Sequence, residues 1–267
     1  MNRARRLVTG VVVAVVALAV AGGSTAQAES KFAKELITPG TLVVGSDIPY
    51  PPFEMGNKPS NYTGFDIQLV RAIGRRLNLR VQIVDTAFDT IFTDLSRGKF
   101  DLLASAATVT PERSKMVSFT KPNFEARQSL VVRRGSGIRS LRGLKGKKVG
   151  ARHGTSGEAF ARDETEAARV IGFANPTRAI AALKSGRVDA VFLDETTARI
   201  AFREGARGVE IARNFSNGEF YAFATQKSNN RLRLAINWAF DRVKANGTFA
   251  RLYRKYFGMN PPPSLRR

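Results

Sequence analysis

The sequence predicts an α/β protein of two lobes, each a mostly parallel sheet flanked by helices. Three observations lead there. Short β-rich runs alternate with amphipathic helical stretches over residues 41–116, a second alternating series starts near Ser129, and 267 residues with 43% hydrophobic side chains suit two medium cores. In the first series, residues 41–45 form an apolar run after Pro39-Gly40, and Ile67, Val70, Ile73 and Leu77 make a helical stripe over 66–77. Residues 81–84 read as a strand, 89–95 as a short helix stopped at Arg97-Gly98, 100–105 as a strand, and 111–116 as a helix with Thr110 as N-cap and Pro111 in its first turn. The second series has strands at 129–132, 148–151, 189–193 and 209–211. Its helices follow the Thr155/Glu158 capping spacing and cover 178–184 and 195–204. A strand at 220–224 leads into a long helix over 229–246, ended by Gly247, and a last helical stretch before Gly258.

The first residues read as an export leader rather than as part of either lobe. Arg3, Arg5 and Arg6 precede an apolar run over 11–21, and Ala26-Gln27-Ala28 offers a small-x-small cleavage site, so a cut after Ala28 is expected. The apolar run is shorter than the ~20 residues of a spanning helix. Zero Cys excludes disulfides, thiolate metal sites, a cysteine nucleophile and a lipid-modified cysteine. An exported chain with no tether is expected in the periplasm of a two-membrane cell.

Forty-three Lys and Arg against 22 Asp and Glu give 43 − 22 = +21, and without the three leader arginines 40 − 22 = +18. The cations are spread through every segment instead of forming one nucleic-acid-binding face, so a solvated basic surface is the expectation, with salt-dependent attraction to anionic lipid or an acidic partner.

In an open α/β sheet a ligand sits beyond the carboxyl ends of the strands. Asp47 and Tyr50 follow the first strand, Thr108 and Thr110 the third, Gly154-Thr155-Ser156 a strand of the second series, and Asp194 the strand at 189–193. Arg113, in a first helical turn near Thr108, suits a carboxylate, and Asp194 from the other lobe suits an ammonium. A free α-amino acid carries both. Taken singly, each is an ordinary turn or cap residue, and Arg113 has a surface ion pair with Glu112 or Asp101 as its plain alternative. Catalytic patterns are poor: His153 is the only histidine, and residues 154–158 depart from the G-x-S-x-G elbow at Glu158. No phosphate loop, zinc motif, cofactor or metal set is present.

At these residues the chain resembles the extracellular solute-binding proteins of polar amino-acid ABC transporters. The resemblance is carried by Ser46-Asp47-Ile48-Pro49-Tyr50-Pro51-Pro52-Phe53-Glu54, Gly64-Phe65-Asp66-Ile67, Phe88-Asp89 to Gly98-Lys99-Phe100-Asp101, and Thr108-Val109-Thr110-Pro111-Glu112-Arg113. It continues through Leu144-Lys145-Gly146-Lys147-Lys148-Val149-Gly150, Gly154-Thr155-Ser156, Val188-Asp189-Ala190-Val191 with Asp194, and Asn246-Gly247-Thr248 to Tyr256-Phe257-Gly258. It implies the two-lobed periplasmic-binding-protein fold of type II. Lobe 1 would be discontinuous, residues 29–123 plus 222–267, and lobe 2 would be 128–218, with hinges near 123–127 and 218–221. It also implies that Arg113 holds the ligand carboxylate with Thr108, the Ala106 backbone and Ser156 or Thr155, that Asp194 holds the ammonium, and that Tyr50 and Phe88 stack on the ligand side chain. The implied partners are a free amino acid and membrane permease subunits, with no nucleic acid and a monomeric receptor.

Ligand identity turns on Asp47 and Arg152. An acceptor and a donor together match a carboxamide, which favours glutamine. Asp47 alone, with Arg152 turned to solvent, favours a cationic side chain between Tyr50 and Phe88, and a dominant Arg152 favours Glu or Asp. The alternative function on the same architecture is cyclohexadienyl or arogenate dehydratase, which needs a general acid in the cleft beyond Asp47 and Asp194.

Overall fold

The computed structural model describes residues 34–266. The expected leader and its cleavage site lie outside the described residues. The chain runs β1 (Thr41–Ser46), α1 (Phe65–Arg76), β2 (Arg80–Asp85), α2 (Ile91–Ser96), β3 (Leu102–Leu103), α3 (Pro111–Met116), β4 (Val117–Glu125) and β5 (Gln128–Arg133). It continues through β6 (Lys148–Arg152), α4 (Ser156–Asp163), β7 (Arg169–Phe173), α5 (Pro176–Lys184), β8 (Ala190–Asp194), α6 (Glu195–Arg203) and β9 (Val209–Phe215). Last come β10 (Phe220–Gln226), α7 (Asn230–Ala245), α8 (Thr248–Phe257) and α9 (Pro263–Arg266).

Two five-stranded sheets result, ordered β2-β1-β3-β10-β4 and β7-β6-β8-β5-β9. In each, three strands pair in parallel, and the other pairings are antiparallel, so the sheets are mixed where mostly parallel ones were expected. The reason is the path of the chain: β10 re-enters the first sheet from the second, against the direction of β3 and β4. The chain leaves the first sheet after β4 and returns before β10, and the two crossings touch where the Ala126 N–H donates to the Glu219 carbonyl at 2.9 Å.

Local chemistry accounts for most elements. In α1, Phe65, Leu69 and Ile73 are buried at helical spacing, Asp66 sits in the first turn and Arg75 and Arg76 in the last, each sign matching the helix dipole. The Thr110 hydroxyl accepts the Arg113 N–H at 3.2 Å, with Pro111 following it, so α3 starts where the sequence placed it. β4 and β7 were not foreseen. Both are edge strands, where Pro122 in β4 and Gly172 in β7 are tolerated although they read as breakers.

An aromatic cluster holds the first lobe together across long sequence distances. Phe53 is fully buried, its ring centroid 4.9 Å from that of Phe124, 5.3 Å from Tyr221 and 5.4 Å from Phe257. It therefore joins the β1–α1 loop to β4, β10 and α8, and burying such a ring is worth about 1.5–3 kcal/mol. Gly64 is required beside it. Its φ is +115°, and a Cβ there would lie 2.1 Å from the Phe53 carbonyl oxygen. Among the described residues no helix is long and apolar enough to cross a membrane.

Candidate functional site

The carboxyl ends of β1, β3, β6 and β8 bring the expected polar residues to one cleft between the lobes. Tyr50, from the first lobe, donates its hydroxyl to Asp194 at the end of β8, and Thr197 of α6 donates to the Tyr50 oxygen at 2.9 Å. Burial, and then the Asp194 carboxylate, push the Tyr50 phenol well above its ordinary pKa. The Thr108 and Ser156 hydroxyls meet across the cleft at 3.1 Å.

Arg113 is the most informative residue. It is 8% exposed, and its guanidinium donates to the carbonyls of Thr108 (2.8 Å) and Gly154 (3.0 Å) while lying 4.5 Å from the Phe92 ring centroid and 5.4 Å from that of Phe88. Neither Glu112 nor Asp101 pairs with it: Asp101 accepts the Ile37 and Val43 N–H groups instead, and the ion pairs among the described residues do not include Arg113. Burial lowers its pKa to about 10, with Asp194 and Glu219 at longer range opposing that fall. A buried guanidinium whose hydrogen-bond partners are carbonyls has no carboxylate in direct contact, an arrangement chemically able to take a bidentate anion.

One ion pair spans the two lobes. Arg152 at the end of β6 donates to Asp47 after β1, and its guanidinium lies 5.4 Å from the Tyr50 ring centroid and 4.9 Å from that of Phe88. Arg152 therefore does not point to solvent. Burial raises the Asp47 pKa, and Arg152 pulls it back.

Two expected roles are modified. The Ala106 N–H donates to Asp66 at 2.9 Å, and Ala106 has φ +43°, so only its carbonyl can serve a ligand. Between Thr155 and Ser156, the structure brings Ser156 into the cluster: the Thr155 hydroxyl donates to the Arg152 carbonyl at 2.7 Å and caps α4 by accepting the Glu158 N–H. The Glu158 carboxylate does not close a capping box. It accepts the Gly154 N–H and pairs with Arg162 and His153.

Gln128 and Glu219, one at each crossing, were missed. The Gln128 amide donates to Asp194 at 2.9 Å and Glu219 at 3.2 Å, and Ser156 donates to Glu219 at 3.3 Å. Burial raises the Glu219 pKa, with Asp194 adding to the rise, so the cleft does hold a third carboxyl group. The signal available was position: both flank hinge crossings, which neither periodicity nor turn chemistry marks. Beneath the cleft, Glu54 is fully buried, and burial followed by the neighbouring Asp66 pushes its carboxyl well up. Asp66, holding Ala106 in place, is raised to about 6 by burial. Among the described residues no group of three or more His, Asp and Glu side chains is placed to hold a metal.

Residues 42–259 match the family model of bacterial extracellular solute-binding proteins, family 3. The chain is 30% identical over 231 residues to the histidine-binding periplasmic protein of Escherichia coli K12, covering 82% of this chain and 88% of that one. Among solved structures it is similar to an ancestral arginine-binding protein bound to glutamine, at 39% identity and TM-score 0.75 over 82% of this chain and 99% of the other. It is also similar to an ancestral amino-acid-binding protein described as a precursor of cyclohexadienyl dehydratase, at 35% identity and TM-score 0.74 over 82% and 95%. Two five-stranded α/β sheets, and a family match spanning nearly the whole described chain, show that the protein belongs to the bacterial extracellular solute-binding proteins of family 3.

Proposed function

We propose that this protein is a periplasmic receptor of an ABC importer that closes its two lobes on a free polar amino acid and presents the closed form to the membrane permease. The observation that carries this reading is Arg113, buried in lobe 1 without a carboxylate partner, facing Asp194 of lobe 2. The ligand carboxylate sits on Arg113 with Thr108 and Ser156, and its ammonium on Asp194 with the Ala106 carbonyl. The lobes are residues 29–123 plus 222–267 and 128–218, and closure swings about 123–127 and 218–221.

For the ligand side chain we favour a carboxamide, hence glutamine. Support comes from the Asp47–Arg152 pair between the Tyr50 and Phe88 rings, which is neutral overall and offers both an acceptor and donors. A basic amino acid is the second reading, favoured by the names of relatives that bind histidine, lysine and arginine. Glu219 gives the dehydratase alternative a protonatable carboxyl, but Gln128 and Ser156 hold it at the hinge, and the named relatives are binding proteins.

Scanning fluorimetry against all twenty amino acids tests the reading. A ligand at 100 times its dissociation constant stabilises by about 2.7 kcal/mol. No melting shift with any of them would overturn the amino-acid reading, whereas a shift confined to arginine and lysine would overturn glutamine alone. Turnover of arogenate or prephenate would establish the dehydratase.

A further inference from the structure

On the flank of lobe 1, α7 turns an apolar pair outward. Leu234 and Trp238, four residues apart on one helical face, are 53% and 51% exposed, an adjacent pair of large apolar side chains on the face turned from the core. The Arg242 guanidinium lies 5.6 Å from the Trp238 ring centroid, one turn further on.

Cations surround the pair. Lys121 of β4 is fastened beside α7, its N–H donating to Asn237 at 2.8 Å and its ammonium pairing with Asp241 at 2.6 Å. At the start of the helix Arg231 pairs with Glu35, and the Lys227 ammonium donates to the carbonyl of Lys115. Four cations, Arg242, Lys121, Arg231 and Lys227, thus stand against two carboxylates, Glu35 and Asp241. Met116, 44% exposed, follows Lys115.

We propose that this face of α7, with the adjoining edge of β4, rests on the headgroup layer of an anionic phospholipid membrane. Trp placed at the boundary of water and hydrocarbon, with an aliphatic neighbour and flanking Arg and Lys, is the composition of an interfacial helix. The occupant follows from shape and charge. The patch is the outer face of a helix, which suits a planar surface better than the pocket a protein hot spot fills. A second copy would bring the same excess of positive charge against it, in a chain already at +18 without its leader arginines.

Trp238 is the only tryptophan in the chain, so its emission reports on this face alone. The processed protein is titrated with neutral phosphatidylcholine vesicles and with vesicles in which about one-third of the lipid is phosphatidylglycerol. The expected result is a blue shift of Trp238 and reduced acrylamide quenching with the anionic vesicles only, both reversed by high salt. Arg242→Ala and Lys227→Ala should each weaken partitioning by about five-fold. Leu234→Ser should reduce the blue shift, with unchanged thermal melting showing that the fold is intact. Arg169→Ala, on the edge strand of the other lobe, should leave binding unchanged. Vesicle binding with unchanged Trp238 emission would place the contact elsewhere and overturn the proposal. So would an equal shift with neutral vesicles, an equal shift with heparin, or no binding at all. Because the patch lies outside the cleft, these outcomes leave the amino-acid reading standing.

Discussion

On the proposed glutamine reading, replacing Arg152 with Met should open the cleft to cationic side chains. In the structure the Arg152 guanidinium pairs with Asp47 and lies within about 5 Å of the Tyr50 and Phe88 ring centroids, where a ligand side chain would enter. A ligand cation approaching Asp47 would therefore sit about 5 Å from a fixed positive charge. At an effective dielectric of ~20 the repulsion between two unit charges at that distance is about 3 kcal/mol. The two protein side chains are 12% and 19% exposed, so solvent screening trims this only in part, to about 1–3 kcal/mol. Arg152→Met removes that repulsion and leaves Asp47 unpaired, so the preference for arginine over glutamine should rise by roughly 10- to 100-fold. Glutamine also loses a donor, worth about 0.5–1.5 kcal/mol. Calorimetric titration of the parent and of Arg152→Met with arginine, lysine and glutamine measures the ratio directly. A ratio that changes by less than about three-fold would show that Arg152 does not govern the side-chain subsite, and would refute the electrostatic reasoning.

Three further outcomes are expected. Arg113→Ala and Asp194→Ala should each weaken amino-acid binding by tens- to thousands-fold, from about 2–5 kcal/mol per truncated charge partner, with the fold retained; near wild-type affinity in calorimetry would misplace the carboxylate or ammonium. Glu54→Gln should raise the melting temperature at pH 7 relative to the parent, and the gap should shrink as the pH falls towards the unfolded-state pKa. The raised native pKa means that the parent's Glu54 contributes fully only below that value and loses its contribution as pH rises, and a gap that widens on acidification would contradict it. Gly64→Ala should lose several kcal/mol, visible as a collapse in melting temperature, because the Cβ would meet the Phe53 carbonyl at 2.1 Å in a left-handed conformation; an unchanged melt would show that the loop yields freely.

Much of this molecule was legible before its structure. α3 begins and ends at the expected residues because Thr110 and Pro111 are local signals that act on their own backbone. Asp194, Asp47 and Tyr50 could be picked out as candidates because the carboxyl end of a strand is a position that periodicity locates, and Arg113 because it falls in the first turn after the Thr110 cap. What sequence could not show is partnership across the lobes. That Arg152 turns onto Asp47 and that Tyr50 reaches Asp194 depend on side-chain direction over a gap of more than 100 residues. Gln128 and Glu219 stayed hidden because a hinge crossing has no periodicity of its own. β4 was missed since its apolar content is interrupted by Thr120, Lys121 and Pro122, which only an edge position with one covered face tolerates.

The insertion of β10 between β3 and β4 sets an order of assembly. The strands of the second sheet, β5 to β9, are consecutive, so once residue 215 has emerged that sheet has all its members. The first sheet does not: until residues 220–226 arrive, β4 has no partner and β3 no outer neighbour. A chain emerging N-terminus first must therefore keep its earliest half unfinished while its later half completes, exposing a nine-residue strand edge in the interval. A chain cut short after β9 would carry one finished lobe and one that cannot close, which makes the last fifth of the sequence the step on which β3 and β4, made in the first half, wait.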